Sequence, residues 1–129
     1  MKYFPIATTP NIDASMSDLM NLTYSGGELK ADFYMDEMDK AFRVYFEWAL
    51  IFRVLDEFPL SMEEEGCPSD GLVKHGFAYR VDEAPFWKAQ SAVFLKLKNS
   101  AQHYRFITSG ICLDVISEMP PVFSVVAVK

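Results

Sequence analysis

The stretch that decides the fold is AFRVYFEWALIFRVLDE, residues 41–57. From Phe42 to Val54, every second residue is large and apolar. The charged residues inside this run all stand on the other parity: Arg43, Glu47 and Arg53. A β-strand sends alternate side chains to opposite faces, whereas a helix, which turns about 100° per residue, would scatter both sets around its circumference. The pattern therefore predicts a long antiparallel strand with its apolar side in the core and its charged side in water.

The length of this strand limits its shape. At about 3.3 Å per residue, an unbroken strand over residues 42–54 would be roughly 40 Å long. A compact chain of this size has a diameter of roughly 36 Å. We therefore expect the strand to coil strongly or to break at a bulge near Ala49. The fold class that follows is α+β, mainly antiparallel β, with a strongly bent sheet or partial barrel and one or two short helices.

The bulk composition is that of one folded domain spanning residues 1–129. Half of the residues are hydrophobic (50%) and the formal net charge is −6. An acidic balance disfavours binding to nucleic acid or to anionic membranes. No run approaches the roughly 18 apolar residues of a membrane span, and two cysteines do not make a disulfide framework. We expect a cytoplasmic protein with free thiols.

The N-terminal half predicts three further elements. Residues 1–6 are typical of a short edge strand that Pro5 limits. Residues 12–22 are typical of a short helix with a narrow methionine face. Alternation resumes at residues 29–35, so residues 28–54 predict a β-hairpin whose charged loop has about five residues.

The C-terminal half is less regular. Residues 58–71, rich in Pro, Gly and Glu, predict a long surface loop. Residues 84–93 fit either a helix or a turn followed by a strand, and the sequence leaves both open. Residues 111–117 alternate as a strand does, and residues 122–128 are apolar on both faces, which is typical of a strand covered on both sides.

A second hairpin is predicted from residues 92–98 and 103–108. In the register that keeps charged side chains out of the core, one face is wholly apolar. The other face is basic and consists of Lys96, Lys98, His103 and Arg105. Such a face is either solvated or binds an anion such as a phosphate or a nucleic-acid backbone.

No motif points to catalysis. Two histidines without HExxH or HxH spacing do not make a zinc site, and no phosphate-binding glycine loop or GxSxG elbow is present. Cys67 lies beside glutamates, which oppose formation of a thiolate. We therefore predict no catalytic residues, no metal and no cofactor.

The favoured function is a small cytosolic protein-binding module, an inhibitor or an immunity-type protein that neutralises a basic toxin. Its predicted acidic contacts are Asp36, Glu37, Asp39, Glu63, Glu64 and Glu65. The alternative contacts are the charged and aromatic side chains of the long strand, namely Arg43, Tyr45, Glu47 and Arg53. Two other functions stay open: a small-molecule-binding or enzymatic barrel or cone, and anion or nucleic-acid binding through the 94–107 hairpin. The oligomeric state is open as well.

Overall fold

A computed structural model describes residues 1–128 of the chain. In chain order its elements are β1 (Lys2–Pro5), a 3₁₀ turn (Ala14–Met16), β2 (Leu19–Ser25), β3 (Glu28–Tyr34), β4 (Lys40–Phe46), β5 (Ala49–Asp56), α1 (Glu57–Glu63), β6 (Ala78–Asp82), α2 (Pro85–Lys88), α3 (Ala92–Leu97), β7 (Gln102–Ile107), β8 (Ile111–Ser117) and β9 (Val122–Ala127).

The strands form two antiparallel sheets packed face to face. The first has five strands in the order β1-β6-β7-β8-β5, and the second has four in the order β2-β3-β4-β9. The mainly antiparallel class with short helices is thereby confirmed. The two sheets do not close into a barrel.

The decisive stretch is divided between the two sheets, so the prediction of one long strand is wrong. It breaks at Glu47 and Trp48, close to the expected position, with β4 in one sheet and β5 in the other. Phe42 and Phe46 are fully buried, but the next residue of the same parity, Trp48, is 55% exposed. The change of sheet resets the alternation, because each segment is oriented by its own partner strands.

The core between the sheets is built mainly from aromatic rings. The ring centroid of Phe106 on β7 lies within 6.3 Å of the ring centroids of four other phenylalanines: Phe33, Phe46, Phe77 and Phe123. Leu29 and Leu113 are fully buried beside them. This packing fills the space in which a ligand-binding barrel would hold its ligand.

Several predicted elements are confirmed. Strands β3 and β4 form the expected hairpin, with Phe33 opposite Phe42 and a loop over residues 35–39. Strand β1 is an edge strand that pairs with β6 alone among the strands. Strand β8 lies where alternation predicted it, at Ile111–Ser117.

Other elements differ because local hydrogen bonds decide them. In place of a helix over residues 12–22, Asp13 caps a single 3₁₀ turn and β2 then pairs with β3. The predicted loop 58–71 begins with helix α1, whose N-cap Asp56 accepts a hydrogen bond from the backbone N–H of Phe58. Between residues 84 and 93, the helical alternative is the correct one for α2.

The second predicted hairpin is wrong. Residues 92–97 form helix α3, whose N-cap Ser91 accepts a hydrogen bond from the backbone N–H of Phe94. Strand β7 pairs instead with β6 on one side and β8 on the other. Strand β9 is also corrected: it is an edge strand with Val122 and Val125 exposed, not a strand covered on both sides.

Candidate functional site

The outer side of the five-stranded sheet carries a buried group of charged side chains centred on Asp114. In the sheet register, Asp114 on β8 lies directly between Arg105 on β7 and Arg53 on β5. Arg105 Nε donates to Asp114 Oδ1 over 2.8 Å, and Arg53 Nε donates to Oδ2 over 3.0 Å. His103 Nε2 lies 2.7 Å from Oδ1. Strand alternation on three neighbouring strands thus aims four polar side chains at one another.

Helix α1 closes over this group through two consecutive glutamates. Arg53 donates to both carboxylate oxygens of Glu63, over 2.9 and 2.6 Å. Arg105 does the same with Glu64, over 3.1 and 2.8 Å, and also donates to the hydroxyl of Tyr3 over 2.7 Å. Two-pronged arginine–carboxylate pairs are among the stronger and more directional ion pairs. We call these residues the Asp114 cluster: Tyr3, Arg53, Glu63, Glu64, His103, Arg105 and Asp114.

The ionised forms are held by the neighbours of each group. Burial alone would raise the pKa of Asp114, but the hydrogen bond from His103 and the charge of Arg105 outweigh it and lower that pKa well below its ordinary value. The hydrogen bond from Arg53 lowers the pKa of Glu63. Burial raises the pKa of the Cys112 thiol, which lies 3.8 Å from Asp114 Oδ1. Cys112 is therefore protonated, which makes it a poor nucleophile.

Within residues 1–128, His103 carries the one buried side-chain nitrogen or oxygen that has no hydrogen-bond partner. Its contact with a carboxylate places a proton on Nε2, while Nδ1 is buried and has no hydrogen-bond partner. The ring of Phe86 on α2 packs against it with centroids 5.3 Å apart. Because Nδ1 is shielded from solvent, it is not placed to exchange a proton with a substrate. The geometry is that of an ionic clamp between helix and sheet.

The predicted basic face does not form. Lys96 lies on helix α3 and Lys98 follows it, both exposed, and Lys98 Nζ lies 3.6 Å from a Glu118 oxygen. His103 and Arg105 are buried in the Asp114 cluster, on a different element. The four residues were expected to share a face only because α3 was taken for a strand.

The predicted contact face of the long strand is also divided. Arg43 and Tyr45 lie on the outer side of the four-stranded sheet, where Arg43 pairs with Asp32 over 2.7 and 2.9 Å. Glu47 is exposed at the crossover, and Arg53 belongs to the other sheet. The change of sheet after Phe46 separates these residues, which were expected to share one face.

The acidic residues fall into two kinds. Glu63 and Glu64 are committed to arginines, and Glu65 beside them is exposed. The β3–β4 loop is different, since its acids are exposed and, among residues 1–128, only Glu37 has an ion-pair partner, Lys40 at 3.1 Å.

Between those loop acids stands Met38, which is 94% exposed. A pocket of about 310 Å³ lies between this loop and the 3₁₀ turn, lined in part by Asp13, Met16 and Tyr34. We call this surface the acidic tip, and its residues are Asp13, Met16, Tyr34, Asp36, Glu37, Met38 and Asp39.

Neither Asp114 nor Tyr3 is among the site residues expected from the sequence. A lone carboxylate within the apolar strand ICLDVIS is the signal that marks Asp114, because a buried charge needs a partner. Its partners Arg53 and Arg105 stand 61 and 9 residues away. The pairing of β5 with β8 is what joins the more distant one to it.

No family model, curated protein or solved structure matches the chain. Within residues 1–128, no group of three or more His, Cys, Asp or Glu side chains is arranged to hold a metal ion. Over the same residues, no helix has the length and apolar character of a membrane span. The fold and the site together define a two-layer antiparallel sandwich with an ionic clamp under a short helix.

The lowered carboxyl pKa values predict acid sensitivity. Asp114 and Glu63 have lower pKa values in the folded protein than in the unfolded chain, so at low pH the unfolded chain binds more protons. The stabilisation from these two carboxylates is therefore complete above the ordinary carboxyl pKa and is lost as the pH falls below it. We expect the free energy of unfolding in urea to be level above about pH 5 and to fall towards pH 3. Glu63→Gln should flatten part of this fall, whereas Glu65→Gln should not. An equal free energy of unfolding at pH 6 and pH 3 would contradict the lowered pKa values of Asp114 and Glu63.

Proposed function

We infer that the protein is a small acidic protein-binding module that contacts a basic partner through the acidic tip, as an inhibitor or immunity-type protein would. The observation that supports this most is Met38, which is 94% exposed at the end of the β3–β4 hairpin and has acids on both sides. Hairpin β3–β4 is anchored by the buried Phe33 and Phe42, so the loop is presented on a fixed base.

Exposed apolar side chains on the acidic tip supply the anchoring contacts. Met16 is 65% exposed and Tyr34 is 41% exposed, and both line the pocket beside the loop. Methionine fits irregular surfaces because it is unbranched and polarisable, and tyrosine is enriched among the residues that dominate interface energies. A partner side chain that enters the pocket would contact Met16 and Tyr34, while Met38 stands on the loop beside it.

The charge of the surface favours a basic partner. Its four carboxylates are Asp13, Asp36, Glu37 and Asp39. Two basic side chains beside them already face carboxylates: Lys40 Nζ lies 3.1 Å from a Glu37 oxygen, and His75 Nδ1 lies 3.4 Å from an Asp13 oxygen. Complementary charge around an apolar anchor mainly raises the association rate and excludes wrong partners.

The other two functions have lost the features that suggested them. The space between the sheets is filled by aromatic side chains, so a barrel interior no longer supports small-molecule binding. The basic hairpin is replaced by a helix and a buried strand, so nucleic-acid binding has no continuous basic surface on residues 92–108.

Neutralising the tip should weaken capture of a partner from native cell lysate. We expect the double variant Asp36→Asn/Asp39→Asn to retain the partner about tenfold less well at low salt, because charges at an interface rim act on the association rate. The difference should shrink at high salt, since exposed charges are then screened. Retained protein is quantified against wild-type bait.

The matched control is Glu47→Gln/Glu65→Gln, which removes the same charge from exposed positions elsewhere. This control should bind as wild type does. A Met38→Ala bait tests the apolar anchor separately and should also lose the partner. Equal retention by all four baits, or no stoichiometric partner at all, would reject the proposal.

A further inference from the structure

We propose that strand β9 is a self-association edge, at which two copies of this chain pair antiparallel and join their four-stranded sheets into one continuous sheet. Strand β9 ends the β2-β3-β4-β9 order, so within residues 1–128 one of its edges has no strand beside it. Its sequence, VFSVVA, has no charged residue and no proline, and its register with β4 is continuous from Val122 to Ala127.

The other three edge strands, β1, β2 and β5, have features that oppose pairing with a further strand. Strand β1 contains Pro5, and its outer edge is occupied where the backbone N–H of Tyr3 donates to the carbonyl of Asp70 over 2.7 Å. Strands β2 and β5 each have a register irregularity near one end, and β5 also carries Arg53 and Asp56. Prolines, bulges and charges are the usual means by which natural sheets block edge-to-edge association. Strand β9 has none of them.

On the core side of β9, one apolar side chain at the sheet edge remains exposed to solvent. Val125 lies opposite the fully buried Phe42, so its side chain is on the core side of the sheet, yet it is 41% exposed. Phe123, on the same side, packs against Phe42 and Phe106. One more strand beside β9 would cover Val125, which the four-stranded sheet does not.

A second copy fits this edge by symmetry. Directly opposed residues of an antiparallel pair point to the same face, so a twofold pairing must place a residue opposite itself. With Ser124 at the axis, Val122 lies opposite Val126 and Phe123 lies opposite Val125. With Val125 at the axis, Phe123 lies opposite Ala127. In the first register every pair flanking Ser124 is apolar, and in the second the one polar residue, Ser124, lies opposite Val126 while the other pairs are apolar. Neither register brings like charges together within residues 122–128, despite a net charge of −6 per chain.

A cysteine at the axis is the sharpest test. In a Cys67→Ser background, Ser124→Cys or Val125→Cys should form a disulfide-linked dimer under mild oxidation, depending on the register, because opposed residues lie within reach of a disulfide. Thr23→Cys, on the opposite edge of the same sheet, is the matched control and should stay monomeric. Absence of a dimer from both β9 variants, or equal dimer from the control, overturns the proposal.

Sedimentation of the unmodified protein gives an independent readout. Small interfaces are weak, so the weight-average mass should rise from monomer towards dimer between about 1 and about 500 μM. Val122→Lys should remain a monomer throughout, because an edge lysine blocks pairing, and its unchanged thermal unfolding would show that it folds. A wild-type protein that is monomeric over this range overturns the proposal, even if β9 binds an extended segment of another protein.

Discussion

Replacing Asp114 with alanine should lower the free energy of unfolding by about 3–5 kcal/mol, the usual cost of removing one partner from a buried ion pair. The carboxylate accepts hydrogen bonds from two arginines and faces His103, and it is fully buried. Without it, Arg53 keeps only its hydrogen bonds to Glu63, Arg105 keeps those to Glu64 and Tyr3, and His103 has no partner on either ring nitrogen. The change is measured by urea unfolding at neutral pH.

A matched control separates this effect from the loss of any ion pair. Asp32→Ala removes a carboxylate that also pairs with an arginine on the neighbouring strand, but its side chain and that of Arg43 are 14% and 30% exposed. Partly solvated pairs contribute little, so we expect a loss of about 1 kcal/mol or less. Equal losses in the free energy of unfolding for the Asp114→Ala and Asp32→Ala variants would show that burial does not determine the contribution of Asp114 to stability.

The second large effect is expected from Phe106→Ala, with a loss of about 3–5 kcal/mol. Phe106 is fully buried on the core side of β7, and its ring packs against three rings of the opposite, four-stranded sheet. Truncation leaves a cavity in the middle of the sandwich that its neighbours fill only in part. Thermal or urea unfolding measures the change.

Phe58→Ala is the control for Phe106. It removes the same atoms from a ring that is 69% exposed at the start of helix α1, so little apolar surface returns to water and we expect a change within about 0.5 kcal/mol. A Phe106→Ala variant that unfolds like wild type would mean that the two sheets do not depend on this aromatic core.

Local alternation predicted what depends on neighbours in the chain. It identified the β3–β4 hairpin and β8, because these strands show their apolar and polar residues at a period of two, and a short continuous apolar run indicated β9. Alternation failed where both a helix and a strand fit the same sequence pattern. The segment 92–97, AVFLKL, is apolar enough for either element, and the Ser91 cap selects the helix.

Long-range pairing is the part that the sequence could not provide. Nothing in residues 41–57 shows that the chain changes sheets at Glu47, since Trp48 keeps the parity of Phe46. The Asp114 cluster could not be predicted either. Its arginines have the sequence pattern of solvated charges, and only the pairing of β5 and β7 with β8 shows that they are buried. The acidic tip was accessible from sequence through its loop acids, but the role of Met38 needed its exposure.

The span of the Asp114 cluster along the chain has a consequence for biosynthesis. Tyr3 and Arg105, which are 102 residues apart, meet in it, and the sheet order places β4 beside β9. A nascent chain that has emerged only as far as α3 lacks β7 and β8, two of the three interior strands of the five-stranded sheet. Helix α1 then has no arginine–aspartate layer to dock on, and the sandwich cannot close before β7, β8 and β9 have been synthesised. Until then, the apolar sides of β1 to β6 stay exposed.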